Sequence, residues 1–326
     1  MSNIRNDIPL LVPSFSSKGN LFLPKGNKRY VSDNYDLVDV LGIRLAESYL
    51  LSAYDIYYGF VPENPSDWPE TKYLFVDSGG YETNDSFALS ERNKFNYRVM
   101  PWNEGMMQKV YERVCSTYKF ENTTIILSGF DQQKPVNDQL ESFALLQQQF
   151  PTTVIDQLVK ITDSMDAIVN TLVRHKNLQS VQILGFTEKE LGRTLSERLY
   201  NVIFVKKQLL EAGWNGYIHI FGGLEPSLMK LYYAAGADIF DGLSWQRIRY
   251  RGNSTLYNPS HYYAFATEEE NKLWMMMDNL AELQSVKNDL SLFCGQRAQL
   301  CDRLKCMLTD QNLSVYELLL GSGLEV

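Results

Sequence analysis

The chain has 326 residues, 44% of them hydrophobic and 13% aromatic, with a formal net charge of −8. That much apolar and aromatic material excludes a disordered chain, and no apolar run approaches the roughly 18 residues a membrane span needs. Four cysteines in this length do not make a disulfide scaffold, and the stretch from Met1 to Leu11 has no apolar signal core, so a cytoplasmic chain with reduced thiols and no membrane partner is expected.

In chain order, short apolar runs predict strands at 8–14, 48–57, 72–77, 123–131, 153–161, 180–185, 216–221 and 237–241. Several are continuous Ile/Leu/Val/Phe runs, as in strands buried on both faces. Amphipathic stretches predict helices at 103–118, 163–177, 189–212 and 225–235; the first follows Pro101, with Asn103 as its cap. Eight strands with interleaved helices make the count of an α/β (β/α)8 TIM barrel. A doubly wound sheet is the alternative, but no G-x-G-x-x-G follows the first strand. A boundary is expected near 267, where Thr267 precedes Glu268, Glu269 and Glu270. The chain then divides into a barrel over 1–267 and a C-terminal helical extension over 268–326, whose apolar stripe is Leu273, Trp274, Met277, Leu280 and Leu283.

Three predicted strands end in an acid, at Asp77, Asp131 and Asp241. In a parallel barrel the C-terminal strand ends share one mouth, where active sites sit. Acids gathered there suit a reaction in which one carboxylate stays ionised as a nucleophile while another exchanges a proton. Singly, strand-end aspartates also serve as helix or turn caps; three together, two of them beside glycines, favour a site. Asp238 opens the last strand rather than ending it and is expected to be a turn or helix-end residue. After Asp77, Gly79 and Gly80 let a flat ligand approach the backbone, and Tyr81 offers a ring for stacking on a base. Gly222 and Gly223 precede Glu225-Pro226 at a helix start, a setting that binds anions. His219, inside its strand, reads as a satisfied core histidine.

The acidity is segregated. From Gly242 to Thr267 there is no Asp or Glu, while Arg247, Arg249, Arg251 and His261 alternate with Trp245, Tyr250, Tyr257, Tyr262, Tyr263 and Phe265. The N-terminal stretch is also basic, with Arg5, Lys18, Lys25, Lys28 and Arg29 against Asp7 and Asp33. Residues 268–326 carry ten acidic and five basic side chains. Arginines interleaved with aromatics suit a phosphate backbone and unstacked bases, so the overall charge does not argue against nucleic acid.

Together these residues resemble the tRNA-guanine transglycosylase superfamily. Asp77-Ser78-Gly79-Gly80-Tyr81 matches its first signature. Gly236 to Asp241, followed by Arg247 and Gly252, matches its second, and Ile218 to Pro226 is similar to the strand and Gly-rich loop between them. The resemblance covers about residues 8–260. It implies a pentosyltransferase that replaces guanine in a nucleic acid with a 7-deazaguanine base. Asp241 would attack C1′ and form a covalent glycosyl-enzyme, and Asp77 would give and take the proton. Asp131, with Ser78, Gly79, Gly80, Tyr81, Gly222 and Gly223, would hold the base; Arg247, with Arg249 and Arg251, would contact nucleic acid.

There are departures from the family pattern. Cys294, Cys301 and Cys306 do not reproduce its zinc cluster and no His follows them, so neither metal nor cofactor is expected. Leu184 stands for its strand-six glutamine, its Gly-Gly-Leu base loop is missing or merged with Gly222–Leu224, and Trp245-Gln246-Arg247 replaces its Pro-Thr-Arg. These differences point to the divergent branch that places 7-deazaguanines in DNA, with tRNA as the nearer alternative. A non-catalytic nucleic-acid-binding barrel and a phosphate-binding metabolic barrel enzyme are the other readings, and a homodimer or a partner protein is left open.

Overall fold

A computed structural model describes residues 4–19, 22–25, 29–32, 37–38, 40–83, 98–118, 120–252, 254–257, 267–305 and 313–323. Eight parallel strands close into a barrel: β1 Leu10–Phe15, β2 Ser48–Ser52, β3 Tyr73–Asp77, β4 Thr124–Ser128, β5 Val154–Leu158, β6 Ile183–Thr187, β7 Tyr217–Phe221 and β8 Ile239–Gly242. Each strand pairs with the next in sequence, and β8 closes onto β1 with Leu11 opposite Phe240 and Val12 opposite Asp241. The (β/α)8 barrel expected from the alternating pattern is the observed architecture. Its strands read as continuous apolar runs because helices cover their outer faces while the barrel core fills their inner faces.

The helices are α1 Ala53–Tyr58, α2 Glu104–Thr117, α3 Val136–Gln149, α4 Met165–Arg174, α5 Leu195–Glu211, α6 Pro226–Ala234, α7 Glu268–Ser291, α8 Arg297–Lys305 and α9 Leu313–Leu320. The caps lie where side chains can accept orphan amides. Asn103 accepts from the Met106 amide at the start of α2, and Thr194 with Glu197 forms a capping box on α5. Thr267 with Glu270 does the same on α7, which starts at Glu268. Among the described residues no helix is long and apolar enough to cross a membrane.

Several boundaries differ from the sequence reading. The strand expected over 48–57 stops at Ser52, because Ala53 to Ile56 turn into α1 with all four side chains buried. The strand expected to reach Asp131 stops at Ser128, which leaves Asp131 in a loop. The run at 180–185 starts late: Leu178–Ser180 forms a 3₁₀ turn, and β6 follows at Ile183. Helix α3 was not expected; glutamines dilute its stripe, yet Val136, Leu140, Phe143 and Leu146 recur at helical spacing and are buried. Two antiparallel hairpins lie outside the barrel, Phe22–Lys25 with Arg29–Ser32 and Ile248–Arg251 with Ser254–Tyr257. On α7, Trp274 is 43% exposed, and Met275, Met276, Leu280, Leu283, Val286 and Leu290 make the buried stripe, rotated from the expected one.

The extension shares its core with the barrel rather than standing apart. Asn279 of α7 donates to the carbonyls of Trp245 (2.6 Å) and Ile248 (2.7 Å) and accepts from the Tyr250 amide (2.8 Å). It thereby satisfies the backbone of the loop that follows β8. Buried Arg297 of α8 reaches Asp238 at 2.7 Å, and Lys206 of α5 joins at 3.1 Å. Asp238 also accepts from the Ile218 amide (2.9 Å). It is a structural anchor, held by two buried cations at the start of the last strand.

Candidate active site

The acid at the end of β8 is held from three sides. Asp241 Oδ2 accepts from Ser14 Oγ of β1 at 2.9 Å, and Oδ1 accepts from the Gly222 amide at 2.8 Å. Nε2 of His219 stands 3.3 Å from the same Oδ1. That is an ion-pair distance without hydrogen-bond alignment, and among the described residues Nε2 has no hydrogen-bond partner. Ser14 is itself fixed. Its Oγ accepts from the Gly242 amide, and its carbonyl accepts from the Trp245 indole (3.1 Å) and the Gln246 amide group (2.9 Å). Two side chains of the Trp245-Gln246-Arg247 triplet are thus spent in seating the strand that supports Asp241.

Asp77, the last residue of β3, sits among other acids. Its carboxyl is raised to about 8 by burial first, then by Glu82, Asp241 and Asp131, with the Ser78 amide opposing. Asp77 is partly open to the mouth, so the packed protein around it and the neighbouring charges hold the proton together. Glu82 was missed in the sequence. It is 1% exposed and accepts from Ser52 Oγ at 2.7 Å and from Ser16 Oγ. Asp55 of α1 is fully buried and accepts from the Ser17 amide at 2.6 Å and from its hydroxyl. Burial raises both carboxyls, and Glu82 adds to the shift at Asp55. Lys18, also buried, is the cation facing this group. Its Nζ donates to the Tyr81 carbonyl at 3.2 Å and lies 4.6 Å from the Tyr81 ring centre. A pattern search had no route to these residues, because serines and a lysine on β1 and its following turn meet acids from α1 and the Tyr81 loop only in space.

The Asp77–Tyr81 loop is shaped for close approach. Gly79 has φ +86°, and a Cβ there would lie 2.8 Å from Tyr54 and 2.9 Å from the Trp102 indole nitrogen. A Cβ on Gly80 would lie 2.4 Å from Asp131 Oδ2. The two glycines therefore let this loop pack on Asp131, and Ser78 Oγ accepts from the Asp131 amide at 3.3 Å. Ser78 is wholly buried, so its role is to set Asp131 rather than to touch a ligand. Lys160 bridges Asp131 (3.2 Å) and Glu190 (2.5 Å). Burial disfavours its ammonium, but Asp131 and Glu190 outweigh that and raise its pKa.

Tyr81 is 36% exposed, and its hydroxyl accepts from Arg247 at 3.2 Å. The two sequence signatures meet at that contact. Arg249 pairs with Asp278 of α7 at 3.3 Å and is mostly buried, which ties it to the extension instead of the mouth. Arg251, on the hairpin, is exposed. His261, Tyr262, Tyr263, Phe265, Lys28, Asp33 and Cys306 lie outside the described residues, as do the side chains of Lys25, Arg29 and Tyr257.

The Gly222–Glu225 turn differs from its expected use. The Gly222 amide serves Asp241 and the Leu224 amide serves the Asp241 carbonyl. The Gly223 amide donates back to the Ile220 carbonyl of β7, and the Glu225 amide donates to the Gly223 carbonyl within the turn. At the start of α6 the Glu225 carboxylate accepts from the Leu228 amide at 3.1 Å. A carboxylate already fills the place an anion would take. On β6, Gly185 faces inward, since a Cβ there would strike the Phe221 ring and approach Asp156; Leu184 therefore points out to the helices. Phe221 fills the space of a strand-six side chain and is partly exposed. A cavity of about 90 Å³ between α2 and α3, lined by Met107, Gln139, Phe143 and Gln157, contains none of these acids.

The family's zinc does not fit the residues present. Cys294 is exposed, Cys301 is buried with its thiol pushed up to about 11, and among the described residues no group of His, Cys, Asp and Glu could hold a metal ion. No family model matches the chain, and no curated protein does.

Proposed function

We propose that the chain exchanges guanine in a nucleic acid, DNA in the first instance, for a 7-deazaguanine base. One observation carries the reading: two carboxyl groups of opposite character at one barrel mouth. Asp241 is surrounded by donors, which suits a carboxylate; Asp77 is surrounded by acids and keeps its proton to about pH 8. A nucleophile and a separate acid are what a double displacement at an anomeric carbon requires.

In the first step an Asp241 oxygen attacks C1′. Oδ1 already receives Gly222 and faces His219, so Oδ2, with one donor from Ser14, has the spare lone pair. The C1′–N9 bond breaks, its electron pair goes to guanine, and the Asp77 proton neutralises the leaving base. In the second step the incoming base loses its N9 proton to Asp77 and attacks C1′, and the Asp241 carboxylate leaves. Asp131, fixed by Lys160, would accept from the purine edge, and Tyr81 would stack on the extruded base. DNA is placed first because Trp245-Gln246-Arg247 stands where the tRNA enzymes have Pro-Thr-Arg, and here Trp245 and Gln246 hold the Ser14 carbonyl. Glu225 at the start of α6 argues against a phosphate-binding metabolic enzyme.

Labelled guanine supplied with duplex DNA, single-stranded DNA and tRNA tests the proposal. Exchange into DNA, abolished together with any covalent adduct by Asp241→Asn, is the expected result. Exchange into tRNA alone would move the substrate, and exchange into none would end the reading. An adduct that survives Asp241→Asn would show a different nucleophile.

A further inference from the structure

We propose that Asp156 and His219 are positioning residues for Asp241, forming a buried clamp in which a doubly protonated imidazole, anchored by Asp156, fixes the attacking carboxylate from below. The proposal rests on the base-exchange reading for its chemistry and on geometry for its existence.

His219 is fully buried on β7, between Asp156 of β5 and Asp241 of β8. Nδ1 donates to Asp156 Oδ2 at 2.6 Å, the length of a charge-assisted bond. At the other end of the ring Nε2 stands 3.3 Å from Asp241 Oδ1. A neutral imidazole carries one N–H and one lone pair. With carboxylates at both ends, the lone pair of a neutral ring would face an anion. Two protons on the ring make both contacts attractive. The charged groups that face the ring are Asp156 and Asp241; Phe221, 4.0 Å away centre to centre, and Phe75, at 5.9 Å, contribute only ring walls. Burial by itself would depress the ring's pKa, yet Asp156 and then Asp241 outweigh it and raise it to about 9.

The clamp has a chemical consequence. A cation beside Oδ1 attracts the Asp241 carboxylate and holds it in place before attack. It also stabilises the carboxylate that must depart from C1′ in the second displacement. His219 moves no proton in either step. Its removal should therefore slow release of the glycosyl-enzyme, a change that a purely structural histidine would not produce.

The chain has three histidines, His175, His219 and His261, so ring resonances can be followed individually by NMR. The expected result in the free protein is a His219 midpoint near 9, lowered by about one unit or more in Asp241→Asn and in Asp156→Asn. A His219 ring that is neutral at pH 7, or one whose midpoint ignores Asp241→Asn, overturns the clamp. This arm needs no turnover, so it stands even if no nucleic acid is exchanged and the enzyme reading fails. In the active protein, His219→Asn keeps a donor at the Nδ1 position and loses the contact to Asp241, whereas His219→Gln keeps a neutral donor towards Asp241. Both should cut exchange about 10- to 100-fold and raise the fraction trapped as covalent adduct. Wild-type rate and partition in His219→Asn would also overturn the proposal. If either variant fails to fold, the wild-type, Asp241→Asn and Asp156→Asn titrations decide it.

Discussion

Replacing Asp77 by Asn should change how the fold responds to pH, and by an amount that can be worked out. The folded Asp77 carboxyl holds its proton to about 8, while its ordinary value is 3.8. Between pH 5 and 7 the folded state therefore binds about one proton that the unfolded chain has released. Stability then falls as pH rises, by about 1.4 kcal/mol per pH unit for this group alone, and the loss levels off above about pH 8. Asp55 and Glu82 have raised carboxyls and push in the same direction. His219 does so as well: a raised histidine contributes stability below its ordinary value of 6.5 that is lost as pH passes about 9. Water at the mouth narrows the Asp77 window but not its slope of one proton. Asp77→Asn should flatten the stability–pH line by about 1.4 kcal/mol per unit, or about 3 kcal/mol between pH 5 and 7. Urea unfolding of both proteins across pH 5–8, with unchanged denaturant slopes, measures the difference. A wild type that gains stability from pH 5 to 7, or a variant that keeps the wild-type slope, would refute the protonated-acid assignment.

Gly80→Ala should open the base-holding side of the mouth. The added carbon would fall 2.4 Å from Asp131 Oδ2 and 2.5 Å from its Cβ, so Asp131 must leave Lys160. A loss of about 1–3 kcal/mol, with guanine binding weakened, should appear in melting and titration; adding Asp131→Gly, which removes every clashing atom, should recover part of the stability but not binding. Arg247→Ala should weaken nucleic-acid binding across sequences and reduce the log–log salt slope by about one; an unchanged slope in binding isotherms at several salt concentrations would remove Arg247 from the phosphate path.

The acidic group around Asp77 limits how the mouth can work. Three carboxyls with raised pKa values lie within reach of one another, with Lys18 opposite. Each makes the next harder to ionise. This is why Asp77 can keep its proton among other carboxyls.

The eight strands were legible because a barrel strand, buried on both faces, leaves an unbroken apolar run, and because each run ends where its C-terminal residue meets the mouth. Asp77 and Asp241 could be picked out for that reason, Asp131 only because its apolar run carries on past Ser128 into the loop, and the three glutamates after Thr267 marked the start of a helical stretch. Helix α3 escaped because its stripe is diluted by glutamine, and α1 because Ala53-Tyr54-Asp55-Ile56 reads equally well as strand.

What the sequence by itself determined is whatever nearest neighbours dictate: periodicity, caps, strand ends and glycine turns. Only the tertiary structure decided which groups share a field. Glu82 and Asp55 beside Asp77, Lys160 on Asp131, Arg249 drawn to Asp278 and His219 between two carboxylates all join residues far apart in the chain. A charge state depends on distance and burial in space, so the raised carboxyl of Asp77 could be assigned only once the barrel was closed.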